Sequence, residues 1–421
     1  MKKNKIINKI SIDNYLDQIE SKYLSSKKRQ RKAVASFKND KDFIDIGSAG
    51  SMHLFKEIGG FSFLEKNSKS FLKTITRYPS IVSSENETEK CIANMIEGMT
   101  HKKINPENIL IFRGVYDSYM PILLSSLKRI LFVPEHIHQT HKACFASLGF
   151  KLIEIPLEKS GLLDLKNLAK NIEENHTQAS FLYINHNRGK APTKVYLEKI
   201  ARLLKKYDLY AIYDADVLFT AHSKKAEPWL PLMYSQFSSR AIILGNLTKE
   251  FGVPGLRIGY GIAPLELIIQ IKRFQQVTLN IISPLTKSIA QEILKKYNLT
   301  KASKILKERM KFVCEEFRNI GWAIETPETG VNLFIPVPEE FKKSKKHLPD
   351  ELFCYYLASK VKILFRPSHT HGNKKGDEFR LVICQPISVL KEMFNRLKAS
   401  NISPQMIMPN NLEKQYENAI K

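Results

Sequence analysis

The sequence predicts an α/β fold: a large unit built on a mainly parallel, doubly wound sheet, followed by a smaller α+β unit. Three observations carry that expectation. Apolar runs of four or five residues recur between residues 109 and 262 and alternate with helical stretches, the pattern of strands buried on both faces. Glycine or polar residues stand directly after several of these runs (Gly114, Asn187, Asp214, Lys249), where an open α/β sheet presents its ligand-facing edge. Beyond about residue 265 the pattern changes to longer helical stretches with a few separated strands.

In chain order, residues 1–40 read as a polar helical arm with Ile10, Tyr15 and Ile19 as a sparse apolar stripe. Residues 42–47 read as a short strand that ends in a Gly/Ser-rich turn, residues 47–51. A helix is expected over 85–99, then a strand over 109–112 and a further helix to about Leu127. Gly114 lies between that strand and helix, where free N–H groups and the helix dipole can hold an anion. Strands follow at 129–133, 151–155, 180–184, 210–213, 241–244 and 258–262, with helices over 140–148, 165–174 and 195–207. Residues 265–321 read as mostly helical, and 322–325, 332–337 and 379–384 as strands. The units expected are an arm over 1–40, a large unit over 41–284, a small α+β unit over 285–402 and a loose polar tail over 403–421.

The 421 residues, 43% hydrophobic and 26% charged, suffice for one large core and a smaller one. No run approaches the roughly 20 apolar residues that cross a bilayer. The basic N-terminus lacks the apolar core of a signal peptide. Five scattered cysteines without a CxxC point to a reducing, cytoplasmic setting. The net charge of +24 raises nucleic-acid binding, most densely at residues 27–32, KKRQRK. No zinc finger, RNP-type sequence or helix-turn-helix accompanies it, and the lysines are spread along the chain among glutamates, so nucleic acid is not the expected partner.

The chemistry concentrates in residues 246–260, NLTKEFGVPGLRIGY. Lys249 follows an apolar strand, and a lysine at a closed strand end can lose its proton by desolvation and become a nucleophile. Gly252, Pro254 and Gly255 make an irregular loop, and Arg257 within it can fork a phosphate. A nucleophilic lysine beside a phosphate-binding arginine fits a Schiff-base cofactor that carries a phosphate, pyridoxal 5'-phosphate (PLP). In isolation the same pair is a surface lysine in a turn and a salt-bridged arginine, so the rest of the chain decides.

Residues 40–395 resemble the fold-type I PLP enzymes of the class I/II aminotransferase superfamily, most specifically in residues 246–260. The resemblance implies a PLP-dependent transferase-like large domain and a dimer with shared active sites. It implies that Lys249 holds PLP as a Schiff base and moves the proton between substrate and cofactor. It places Arg257 on the cofactor phosphate, with Asn246 where the family commonly has serine, and Thr248 beside Lys249. Asp214 matches the strand-end aspartate facing the pyridine nitrogen, where a carboxylate keeps the ring an electron sink. Gly114, Val115 and Tyr116 match the family's phosphate turn, and His138 stands where an aromatic stacks on the cofactor.

Arg380 matches the arginine that forks the substrate carboxylate, and Tyr78 the tyrosine that reaches the neighbouring subunit's cofactor phosphate. The chain departs from the pattern in two places. Ala215 and Val217 follow Asp214 where the family commonly has glutamate and an aromatic. The asparagine-proline-threonine loop is degraded, so Asn187 competes with Ala191 for the position of the amide that meets cofactor and substrate, and Arg188 is a further substrate candidate. His136, His138 and His141, and His369 with His371, invite a metal reading, yet no cysteine or carboxylate stands at zinc spacing. No metal is expected.

The resulting expectation is aminotransfer between an amino acid and a 2-oxo acid. The departures leave open another PLP reaction, namely amino-acid oxidation, decarboxylation or carbon–sulfur lysis. From a different class, a non-enzymatic basic nucleic-acid-binding protein also stays open. Salt-dependent DNA binding against an amine-dependent spectral change separates the two classes.

Overall fold

The apolar runs pair into strands at the expected places. The computed structural model describes residues 12–37, 40–47, 53–75, 86–185, 188–215, 217–278, 281–297 and 299–421. In chain order the strands are β1 (Ile44–Asp45), β2 (Ile109–Phe112), β3 (Ile130–Pro134), β4 (Lys151–Ile155), β5 (Ala179–Asn185), β6 (Tyr210–Asp214), β7 (Ala241–Asn246), β8 (Gly259–Ile262), β9 (Asn332–Pro336), β10 (Ile363–Leu364), β11 (Arg366–Pro367) and β12 (Glu378–Val382). Strands β2 to β8 form one seven-stranded sheet in the order β2-β8-β7-β6-β5-β3-β4. Only β8 runs against its neighbours within it, so the other strands end on a common edge.

Alternate residues of each strand feed two cores. Ile109, Ile111, Ile130, Phe132, Leu182 and Ile184 enter one, while Leu110, Phe112, Leu131, Val133, Phe181 and Tyr183 enter the other. This period-2 division is why the runs read as continuously apolar. Each such side chain contributes about 1.5–3 kcal/mol by burial. Phe132, with no exposed surface, is a position where truncation to alanine removes about 3–5 kcal/mol.

A third core gathers the C-terminal half around β9, β12 and the helices Leu299–Asn319, Pro349–Val361 and Ile387–Ala399. Its antiparallel sheet has the order β11-β12-β9. Three segments show which core they join. Strand β1 pairs in parallel with β10, and Ile46 enters this third core, so residues 44–46 pack with the C-terminal half. The helix Pro284–Lys296 instead buries Ala290, Ile293 and Leu294 in the first core, against the helix Glu87–Thr100. Residues 412–420 form a helix, Leu412–Ile420, in place of a loose tail. Leu412 and Tyr416, four residues apart, share its buried face, and the Tyr416 ring packs edge-on to Tyr355 and His347.

Residues 322–325 form no strand. The Ile324 carbonyl accepts from Arg318 Nε at 3.0 Å, and the Trp322 indole donates to the Pro336 carbonyl at 2.8 Å, which takes the segment out of ladder pairing.

The expected arm is helical over Ile12–Tyr23 and Ser25–Ala33. Its second helix touches both halves. Ser26 and Lys27 hydrogen-bond Gln139 and Thr140, and Arg29 pairs with Glu351 at 3.1 Å.

Candidate active site

The common strand edge collects the chemistry. After β2 the chain turns at Gly114, whose φ of 85° is natural for glycine and strained for other residues. The helix Val115–Leu123 starts there and directs its first N–H groups to the edge. Gly259 opens β8 beside it, and a Cβ on Gly259 would lie 3.1 Å from the Val115 nitrogen. Arg257 adopts a left-handed conformation, φ 48° and ψ 54°, which costs a non-glycine residue about 1–3 kcal/mol. That backbone places its guanidinium against Gly114, where a Cβ would meet Nη2 at 2.6 Å. Among the described residues Arg257 makes no ion pair. A helix start with an exposed guanidinium over it is an anion cradle.

Lys249 sits on the short helix Leu247–Glu250, which follows β7 directly. Asn246 Oδ1 accepts from the Lys249 backbone N at 3.3 Å, so Asn246 caps the turn that carries the lysine. Thr248 is half-buried on the same turn. Glu250 is buried and accepts from the Leu218 N at 2.9 Å, which ties this turn to the loop after β6.

Asp214 ends β6, directly opposite Asn185 of β5. Tyr119 and Tyr183 each donate a hydrogen bond of 2.7 Å to Asp214 Oδ2, and His141 Nε2 lies 3.9 Å from the same oxygen. Burial, then the Asp214 charge, pushes both phenols well above their ordinary pKa, so both remain O–H donors. Asn185 Nδ2 donates to the Asp214 carbonyl at 3.2 Å, while its buried Oδ1 has no hydrogen-bond partner among the described residues.

His138 follows β3 and caps the helix Gln139–Ser147 by accepting from the Thr140 N at 3.1 Å. Its ring meets His371 edge-on at 4.6 Å, and Tyr116 stacks on His141 at 4.6 Å. Burial pushes the His138 pKa well down, reinforced by His141, Lys27, Arg380 and Lys249. Burial does the same to His371, reinforced by Arg380, His138, His141 and Lys249. Both imidazoles are thus pushed toward the neutral form.

Arg380 reaches the same neighbourhood from β12. It donates to Asn332 Oδ1 at 2.8 Å and to the Gly47 carbonyl at 2.6 Å, which orients the guanidinium. Arg188 is held otherwise: its Nη2 donates to both carboxylate oxygens of Glu378, at 2.7 and 2.8 Å, and its guanidinium lies over the Phe334 ring. Tyr78 and Asn187 lie outside the described residues. Sequence reasoning missed Tyr119, Tyr183, Asn185 and Asn332 as site residues. A tyrosine inside the apolar run 180–184 carries a hydroxyl that needs a partner, which is the one signal that pointed to the site.

These residues fit pyridoxal phosphate. The anion cradle at Gly114 and Arg257 suits its phosphate, Asp214 its ring nitrogen and Lys249 its aldehyde, and the Asn185 oxygen, without a partner among the described residues, stands on the same edge. Together, fold and edge define a PLP-type site on a doubly wound sheet.

Residues 41–386 match the family described as aminotransferase class I and II, and the chain belongs to that family. It is 22% identical over 332 residues to an LL-diaminopimelate aminotransferase of Halothermothrix orenii, covering 75% of this chain and 81% of that protein. It is 23% identical to an aspartate aminotransferase of Pyrococcus horikoshii, covering 70% and 75% respectively. The solved N-succinyldiaminopimelate aminotransferase of Mycobacterium tuberculosis superposes with a TM-score of 0.74 at 17% identity, over 90% of this chain and 98% of that one. The aspartate aminotransferase structure of Thermotoga maritima gives 0.73 at 19% identity, over 91% and 99%. The protein is a PLP-dependent enzyme that moves an amino group between an amino acid and a 2-oxo acid. No helix among the described residues is long and apolar enough to cross a membrane.

Proposed function

We propose that Lys249, Asp214, Arg257 and Arg380 divide the work of this aminotransferase. When bound, PLP supplies an electron sink conjugated to the substrate Cα. The Lys249 amine would hold the cofactor and, when free of it, would carry the proton between the substrate Cα and C4'. Asp214 keeps the ring nitrogen protonated. The Val115 and Tyr116 amides, Asn246, Thr248 and the Arg257 fork hold the phosphate. Arg380, oriented by Asn332 and the Gly47 carbonyl, receives the substrate α-carboxylate. His138 would cover one face of the ring, and Asn185 or Asn187 would supply an amide to its oxygen. The observation that carries this reading is the buried Asp214 carboxylate, fixed at a strand end adjacent to the strand that leads to Lys249.

The reading extends to a homodimer in which Tyr78 serves the neighbouring site. A second copy is supported by an apolar groove lined by Phe55, Phe61, Leu64, Val253, Leu256 and Ile289, with Phe61 exposed. A cytoplasmic setting is supported by five scattered cysteines with no CxxC among them.

The test is the absorbance of the purified protein before and after a panel of amino acids, followed by borohydride. We expect a visible band that shifts with a substrate, oxo-acid formation, and reductive attachment of the cofactor to Lys249 on peptide mapping. An adduct that persists in Lys249→Ala removes Lys249 from its role. A band that shifts without amino transfer to any acceptor moves the reaction to another PLP chemistry.

A further inference from the structure

Two phenols meet on a single carboxylate oxygen beneath the strand edge. Tyr119 and Tyr183 both donate to Asp214 Oδ2 at 2.7 Å, and their own oxygens stand 3.4 Å apart. Neither tyrosine is exposed. The rings are braced by Phe145, which packs against each at 5.0 Å, and by His141. Two hydroxyls placed in an apolar core are unfavourable unless bonded, and each directs its single O–H at Asp214 Oδ2. Turning the carboxylate about its Cβ–Cγ bond would break both charge-assisted bonds together. The two tyrosines come from different elements, Tyr119 from the helix that starts at the phosphate cradle and Tyr183 from β5. The clamp therefore links the cradle to the aspartate.

We propose that Tyr119 and Tyr183 are positioning residues: they lock the plane of the Asp214 carboxylate so that it meets the ring nitrogen of bound pyridoxal phosphate in one fixed orientation. The inference rests on the reading of Asp214 as the partner of that nitrogen. It assigns neither phenol a contact with substrate. The tyrosines act through the aspartate alone, which makes their effects conditional on it.

The experiment is a cycle on the holoenzyme with Tyr119→Phe, Tyr183→Phe and their pair, each made in the wild-type and in the Asp214→Asn background. Phenylalanine keeps the packed ring, and melting curves confirm that each variant is folded. PLP affinity by equilibrium dialysis, the pH profile of the visible band and kcat are read in parallel. In the wild-type background we expect the pair to weaken PLP binding about 10-fold and to lower kcat about 100-fold, with a shifted pH profile and a KM that moves less than kcat. In the Asp214→Asn background the same substitutions should change PLP affinity less than about 2-fold. Equal losses in both backgrounds, or an unchanged affinity and pH profile in the wild-type background, overturn the clamp. If Asp214→Asn alone leaves PLP affinity, spectrum and kcat intact, the role of Asp214 itself falls and the clamp falls with it. The two failures are thus distinguishable.

Discussion

A Cβ on Gly114 would stand 2.6 Å from Arg257 Nη2. The guanidinium thus occupies space that any other residue at 114 would claim. Gly114→Ala also requires alanine to hold a φ of 85°. The expected outcome is a PLP affinity about 10- to 100-fold weaker, with the fold retained. Equilibrium dialysis against the cofactor checks it, and an unchanged dissociation constant removes Gly114 and Arg257 from the phosphate site.

Arg380→Lys keeps the charge and loses the fork. Its bonds to Asn332 and the Gly47 carbonyl hold a planar group that an ammonium does not reproduce. The KM for the amino acid should rise about 30-fold while PLP affinity stays near that of the wild type. A loss in PLP affinity with KM unmoved would place Arg380 on the cofactor instead.

His369 lies buried between Asp350, 2.8 Å from Nδ1, and Glu351, 3.4 Å from Nε2. Burial lowers its pKa, but the Asp350 and Glu351 charges outweigh burial and the net shift is upward. A raised folded-state pKa contributes stability that is fully present below the unfolded value of about 6.5 and is lost as pH rises through the folded value. His138 and His371, shifted down, act in the opposite sense. His369→Gln should therefore lower the melting temperature more at pH 6 than at pH 9. A penalty equal at both values would show that the imidazole is not charged there.

Leu412→Ala and Tyr416→Ala test the packing of the C-terminal helix. Each buried side chain has about 1% exposure, and truncation should remove about 2–5 kcal/mol from global stability. Chemical denaturation reads the loss. A change below about 0.5 kcal/mol would mean that the helix is peripheral to the core.

The sheet and most of its edge were legible because both depend on local patterns. Strands buried on both faces read as apolar runs, and the residues that follow them lie on one edge, so the placing of Gly114, Asp214 and Lys249 at strand ends was legible. The second layer was not legible. Tyr119 approaches Asp214 across 95 residues of sequence and Asn332 approaches Arg380 across 48, and spacing carries no trace of such meetings. Which core a helix joins was not legible for a related reason. Helix Pro284–Lys296 and Leu412–Ile420 are amphipathic, and amphipathicity says that a face is buried without saying in which core. The segment 322–325 misled because its apolar alternation serves anchoring by Trp322 instead of pairing.

The pairing of β1 with β10 joins Ile44 to Ile363. During synthesis at about 5–20 residues per second, residue 44 emerges many seconds before its partner. The sheet of β2 to β8 uses residues 109–262 alone and can close first, while the early strand waits unpaired. The C-terminal half is thus completed by a strand from far upstream, a pairing of high contact order of the kind that slows assembly. Cutting and rejoining the chain so that residue 44 follows the C-terminal helix would shorten that wait and leave the sheet's order untouched.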